Sequence, residues 1–307
     1  LLVMGAGPIG CELAQAFARL GTQVTVVDMA DRVLPREDPE VSAQVAAAFA
    51  REHIKVHTGY RAVAFRATEE GGVAEFEHGG DRVELPFEQL LVAIGRRANV
   101  EDLGLESLGI DTTPAGTIAV NEYLQTTVPS IYACGDVTGP YQFTHMASHQ
   151  AWYATVNALF GWAKRFKVDY SVVPWATFTD PEVARVGLSE TEAQAADLEY
   201  EVTRYDIDDL DRAIADGEAH GFIKVLTPPG SDRILGVTIV GYHASELLAE
   251  YVLAMRHDLG LGKILSTIHV YPTLAETNKF AAGEWRKAHK PERLLGWVER
   301  LHRWRRG

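Results

Sequence analysis

Leu1-Leu2-Val3-Met4-Gly5-Ala6-Gly7-Pro8-Ile9-Gly10 decides the fold. An apolar run feeds directly into three glycines spaced G-x-G-x-x-G, and Asp28 closes the next apolar run, Val24-Thr25-Val26-Val27. Strand, glycine turn, helix, strand and acid in this order form a dinucleotide-binding βαβ unit. Gly5 permits the tight turn, Gly7 lets backbone approach a pyrophosphate, and Gly10 lets the helix expected from Cys11 to Leu20 pack on the strand. The phosphates would sit at that helix's start, where unpaired N–H groups and the helix dipole favour anions. A carboxylate at position 28 accepts from ribose hydroxyls and repels a 2′-phosphate, so NAD(H) is expected over NADP(H), with Arg32 near enough to moderate the preference.

Composition sets the limits. At 307 residues the chain can hold two or three domains, and 47% hydrophobic with 23% charged residues describes an ordinary soluble globular protein. A net charge of −13 argues against a nucleic-acid partner, which needs clustered Lys and Arg. From Arg286 to Gly307, however, eight Lys/Arg stand against two Glu, a balance of +6 that leaves −19 on the rest. With Trp285, Trp297 and Trp304 interleaved, this tail reads as a helix docked on its own body or on a partner subunit, ahead of contact with an acidic surface or membrane. Cys11 and Cys134 form no CxxC pair and read as small buried hydrophobes, which favours a cytoplasmic setting. No stretch reaches the length a membrane span needs, and no metal-ligand cluster is expected.

Further along, Val41, Val45, Ala48 and Phe49 share a helical face within 39–52, and Ile54-Lys55-Val56-His57 reads as a third parallel strand. Residues 63–85 alternate around Gly71-Gly72 and Gly79-Gly80, as in an antiparallel meander, and Leu90-Leu91-Val92-Ala93-Ile94 returns as a buried strand. Two short strands are expected at 118–120 and 131–133 and a long helix at 146–160. From Val172 the pattern becomes α+β, with strands at 175–178, 200–207, 222–226 and 234–240 and helices at 245–257 and 274–288. Leu247, Leu248, Tyr251 and Val252 in the first of these helices are expected to offer an apolar dimer surface.

Ser130-Ile131-Tyr132-Ala133-Cys134-Gly135-Asp136-Val137 ends a strand in Gly-Asp, at the sheet edge where doubly wound folds bind ligands. Read with the opening motif, it resembles the flavin-side signature of the FAD-dependent pyridine nucleotide-disulfide oxidoreductases. Ala93-Ile94-Gly95-Arg96-Arg97-Ala98-Asn99 resembles the return from that family's NAD domain to its FAD domain, and 179–187 (TDPEVARVG) the opening of its dimerisation domain. Residues 12–21 and Gln142-Phe143 look most like the mercuric reductases and their relatives. The resemblance implies an α/β fold: a Rossmann-like NAD-binding domain (1–97), the C-terminal part of an FAD-binding domain (98–168) and an α+β dimerisation domain (169–307) that forms a homodimer.

Site roles follow as implications of the resemblance. Glu12 would contact the nicotinamide carboxamide, although the residues alone equally allow a helix glutamate favoured by the dipole. Pro8 stands where relatives often carry an aromatic gate. Gly95 lies in the return motif, Asp136 would hold the ribityl or pyrophosphate region of FAD, and Thr144 and His145 open a helix aimed at the flavin, with His145 read as a plain polar residue ahead of any chemical role. His269-Val270-Tyr271-Pro272-Thr273-Leu274-Ala275-Glu276 resembles the segment of the catalytic base. Thiol-active members place a histidine directly before the proline. Tyr271 stands there instead, and a phenol is a poor base at neutral pH, which argues against dihydrolipoamide or glutathione chemistry. Glu276 would orient that residue, and His269 is a substitute base or a structural histidine.

In the family, the redox cysteine pair and the FAD adenosine motif precede the NAD domain, and mercuric reductases end in a metal-capturing cysteine pair. This sequence has neither, so it reads as a C-terminal portion with a complete NAD site and an incomplete FAD site. The expectation is a flavoprotein oxidoreductase passing hydride from NAD(P)H through FAD to a disulfide, a metal ion or another small acceptor. The alternatives are transhydrogenase-like hydride exchange between nicotinamides, or a non-catalytic NAD-binding and dimerisation module.

Overall fold

A computed structural model describes residues 1–306, the side chains of residues 293 and 294 excepted. The chain divides into two compact units, one combining Leu1–Ile94 with the chain from Val172 onward, the other Gly95–Ser171.

The first unit opens with β1 (Leu2–Met4), α1 (Pro8–Arg19), β2 (Thr25–Asp28), α2 (Pro39–Arg51) and β3 (Lys55–Thr58). Both helices start on proline, whose missing N–H costs nothing at a position where no intrahelical acceptor exists. For this reason α1 begins ahead of Cys11. The antiparallel meander β4 (Arg61–Thr68), β5 (Gly71–His78) and β6 (Asp81–Phe87) follows, then β7 (Leu90–Val92). The parallel sheet runs β3-β2-β1-β7, with Val3 paired to both Val26 and Leu91. Val41, Val45, Ala48 and Phe49 are buried, as their helical spacing requires.

The second unit contains α3 (Leu105–Leu108) and α4 (Thr144–Phe160). The expected strands at 118–120 and 131–133 are a correction. Ile118 and Tyr132 each make one isolated bridge, to Thr112 and Gln125, and a single bridge cannot propagate a ladder. Polar side chains on α4 organise this unit instead: buried Gln150 accepts from the Gly135 N–H at 2.6 Å and donates to the Tyr170 hydroxyl at 2.9 Å.

The remainder of the first unit comprises β8 (Pro174–Thr177), β9 (Glu182–Gly187), α5 (Glu190–Ala195), β10 (Glu201–Asp206), α6 (Asp211–Asp216), β11 (Phe222–Thr227), β12 (Gly236–Gly241), α7 (Ala244–Arg256), α8 (Leu261–Ser266), α9 (Glu276–Ala288) and α10 (Glu292–Arg305). Its antiparallel sheet has the order β10-β11-β12-β9-β8. The apolar stripe of α7 corrects the expectation made for it: Leu247, Leu248 and Tyr251 are buried against Ile223, Val225, Val237 and Ala281, in the subunit's own core. Each such side chain contributes about 1.5–3 kcal/mol by leaving water, so core formation takes priority over display.

Candidate nucleotide and acceptor sites

At the head of α1, the three glycines do different work. A methyl group on Gly5 would overlap the Ala93 carbonyl oxygen, and one on Gly10 the Gly5 carbonyl oxygen, so both are fixed by close packing. Around Gly7 nothing lies within 4 Å of where a Cβ would stand, which leaves backbone open to an approaching ligand. Asp28 braces the turn: one carboxylate oxygen accepts from the Ala6 N–H at 2.6 Å, the other from the Ala30 N–H at 2.8 Å, and each oxygen keeps a lone-pair direction for a further donor. Arg32 pairs with Asp31 at 3.2 Å. Cys11, deep in the helix–sheet contact, is pushed up to about 12 by burial and is chemically inert there.

Glu12 lies in the second turn of α1, and its Oε1 accepts from the Phe178 N–H at 2.8 Å. Gln15 bonds both backbone groups of Asp180, and Arg19 reaches the Asp180 carboxylate at 2.6 Å. Glu218 and His220 gather beside Asp180, but the Arg19 guanidinium already supplies the positive charge there.

The start of α2 meets the second sheet through a buried charge cluster that sequence reading missed. Lys224, only 1% exposed, reaches Asp38 at 2.6 Å, Glu40 at 2.5 Å and Glu190 at 2.8 Å. Asp38 also accepts from the Glu190 and Thr191 N–H groups at the start of α5. Despite the burial that opposes it, these partners hold the Asp38 carboxyl down at about 2. Beside it, Arg185 pairs with Glu37 at 3.0 Å and Glu192 at 2.5 Å while its guanidinium lies 4.3 Å from the Trp175 ring centroid. Lone Lys, Arg and acid residues far apart in sequence carried no signal for this cluster. The capping box Ser189–Glu192, a readable S-x-x-E pattern, would have revealed α5.

Within the second unit, Gly95 has φ +139° and Gly135 φ +82°, conformations that favour glycine. Asp136 is exposed, with its carboxylate 3.9 Å from Arg96, which donates to the Gln142 carbonyl. Thr144 and His145 are the first residues of α4; no side chain caps this helix start, and the His145 ring stacks on Phe143 at 5.1 Å. The unit thus offers uncapped N–H donors and an exposed carboxylate, an arrangement able to receive phosphate and hydroxyl groups.

The loop before α9 runs between two open grooves of about 500 and 600 Å³. Tyr271, 67% exposed, donates its hydroxyl to Asp211 at 2.9 Å, and that bond holds its ionisation above the usual phenol range. Glu276 lines the same groove and accepts from the Thr273 N–H at 3.2 Å. His269 points elsewhere, between the Thr267 carbonyl and Glu250, at 3.1 and 3.0 Å. Asp211 was not foreseen, because its pairing spans sixty residues and leaves no local pattern.

A four-stranded parallel sheet with a glycine cradle, joined to an antiparallel sheet and its helices, defines a dinucleotide-binding protein with an added α+β domain. The chain belongs to the pyridine nucleotide-disulphide oxidoreductase family: that family's model matches residues 1–151, and the model of its dimerisation domain matches residues 173–282. It is 38% identical to the dihydrolipoyl dehydrogenase of Chlamydia muridarum over 283 residues, covering 90% of this chain and 58% of the relative. It is also 38% identical to that of Thermus scotoductus over 278 residues, covering 90% and 59%. Among solved structures, LpdA from Mycobacterium tuberculosis superposes with a TM-score of 0.83 at 28% identity, covering 92% of this chain and 60% of that one. The flavoprotein disulfide reductase RclA from Escherichia coli, in its Cu(II) complex, gives 0.82 at 25%, covering 92% and 63%. The chain therefore spans about three fifths of the length of the curated relatives it matches.

Proposed function

We propose that this chain serves a homodimeric, FAD-dependent oxidoreductase that takes hydride from NADH and delivers electrons to an acceptor other than a small-molecule disulfide, as in the mercuric reductase-like members. FAD, when bound, supplies the two-electron relay between the pyridine ring and the acceptor. The chain's own residues bind and orient. The Gly7 backbone and the start of α1 take the dinucleotide phosphates, Asp28 takes the adenosine ribose, and Glu12 takes the pyridine end. Asp136, with Gly95, Thr144 and His145, supplies the flavin-side contacts.

The observation that carries the acceptor reading is Tyr271, whose hydroxyl keeps its proton and donates it in a hydrogen bond to Asp211 at 2.9 Å. A thiol substrate must lose its proton near neutral pH, and a phenol so held cannot take it. Glu276 shapes the same groove. The names of the relatives support a second reading, oxidation of dihydrolipoamide, and one experiment separates the two. With the FAD-loaded protein, NADH oxidation is expected with a metal-ion or nicotinamide-analogue acceptor and negligible turnover with the dihydrolipoamide couple. Tyr271→His should raise the latter by roughly a hundredfold, the lower end of what a positioned base contributes. Wild-type turnover of dihydrolipoamide matching the other acceptors would establish the second reading instead.

A further inference from the structure

We propose that α10 is a membrane-surface helix that lies on anionic lipid, with its indoles in the interfacial layer and its arginines on the lipid phosphates. The helix (Glu292–Arg305) falls outside the stretch matched by the dimerisation-domain model, which ends at residue 282. None of its described side chains is buried. Trp297 and Trp304 are 59% and 79% exposed while Val298 and Leu301 are half-buried, so the docking of the helix on its own body, expected from sequence, leaves both indoles uncovered.

Its pattern specifies the surface it fits. Trp297, Val298, Leu301 and Trp304 recur at three- and four-residue spacing on one side, while Glu292, Glu299, Arg303 and Arg306 fall on the other. Arg300 stands at one edge of the apolar face and Arg305 two turns beyond Val298 on it, where long side chains lay their stems on apolar ground and lift the charge outward. Neither has an acidic partner among the described residues; Arg303 pairs with Glu299 at 3.1 Å. Indoles on one face, arginines on and beside it and low overall hydrophobicity form the signature of a helix lying in the bilayer interface. Among the described residues no helix is long and apolar enough to cross a membrane. Charge complementarity chooses the occupant. The local excess of arginine matches anionic headgroups, and paired indoles sit best at the headgroup level.

The test is co-sedimentation of the full chain with vesicles of phosphatidylcholine alone and with about one third phosphatidylglycerol, at low and physiological salt. The expected result is binding roughly tenfold stronger to the anionic vesicles, weakened by salt. Arg300→Glu with Arg305→Glu should abolish it, and so should Trp297→Ser with Trp304→Ser, while both variants keep the wild-type thermal unfolding. Equal binding to both vesicle types, binding to neither, or retention by the arginine variant would overturn the proposal. So would concentration-dependent self-association without vesicles that the same substitutions remove, which would place the helix on a second copy.

Discussion

Gly7 and Gly10 serve one turn for opposite reasons, and substitution separates them. Gly10→Ala forces a methyl group into the Gly5 carbonyl and should lower thermal stability by an amount equivalent to about 1–3 kcal/mol, the usual cost of overpacking. Gly7→Ala meets nothing within 4 Å, so its unfolding temperature should stay near wild type while NADH affinity falls, as calorimetry with NADH would register. Asp28→Ala should weaken NADH more than NADPH; an unchanged ratio would remove the ribose role from this carboxylate. At Tyr271 the raised phenol has one leading cause, so Asp211→Asn should shift its titration toward the ordinary value, read from the tyrosinate absorbance difference between variant and wild type.

Between α2 and the second sheet, the Lys224 cluster joins elements 186 residues apart. Truncating Lys224 to Ala would leave Asp38 buried without its counter-charge, at a cost of about 3–5 kcal/mol in denaturant unfolding. Replacement by Met, which fills similar volume, together with Asp38→Asn should recover part of that loss. Asp38 has a depressed folded pKa, so its contribution is complete above its unfolded value near 4 and is lost as pH falls toward about 2. The acid limb of unfolding in Asp38→Asn should be flatter than wild type across that window. Such contacts explain what sequence could and could not reveal. The turn at Gly5–Gly10, Asp28 and the face of α2 follow from spacing within a few residues. The strands expected at 118–120 failed because a ladder depends on partners the local pattern does not encode. Asp211 and Lys224 matter only through what folding brings to them. At α7 the apolar stripe was read correctly but assigned to the wrong neighbour, since periodicity gives a face and not its destination.

Across the whole molecule, charge and packing are unevenly shared. Because no described side chain of α10 is buried, removing residues 290–307 should leave the unfolding temperature of the rest within about a degree, a change well under 1 kcal/mol. A large drop would mean that the helix supports the body after all. A different dependence links the first βαβ unit to the antiparallel sheet. Glu12, Gln15 and Arg19 recur along one flank of α1, and all three grip the Phe178–Asp180 turn that leads out of β8. One rigid rod therefore has its tip at the pyrophosphate turn and its side anchored in the neighbouring domain. Any tilt that a cofactor imposes at the tip must be absorbed at the anchor. By reciprocity, if cofactor binding at the tip alters subunit pairing through this anchor, pairing alters the grip on the cofactor by the same free energy.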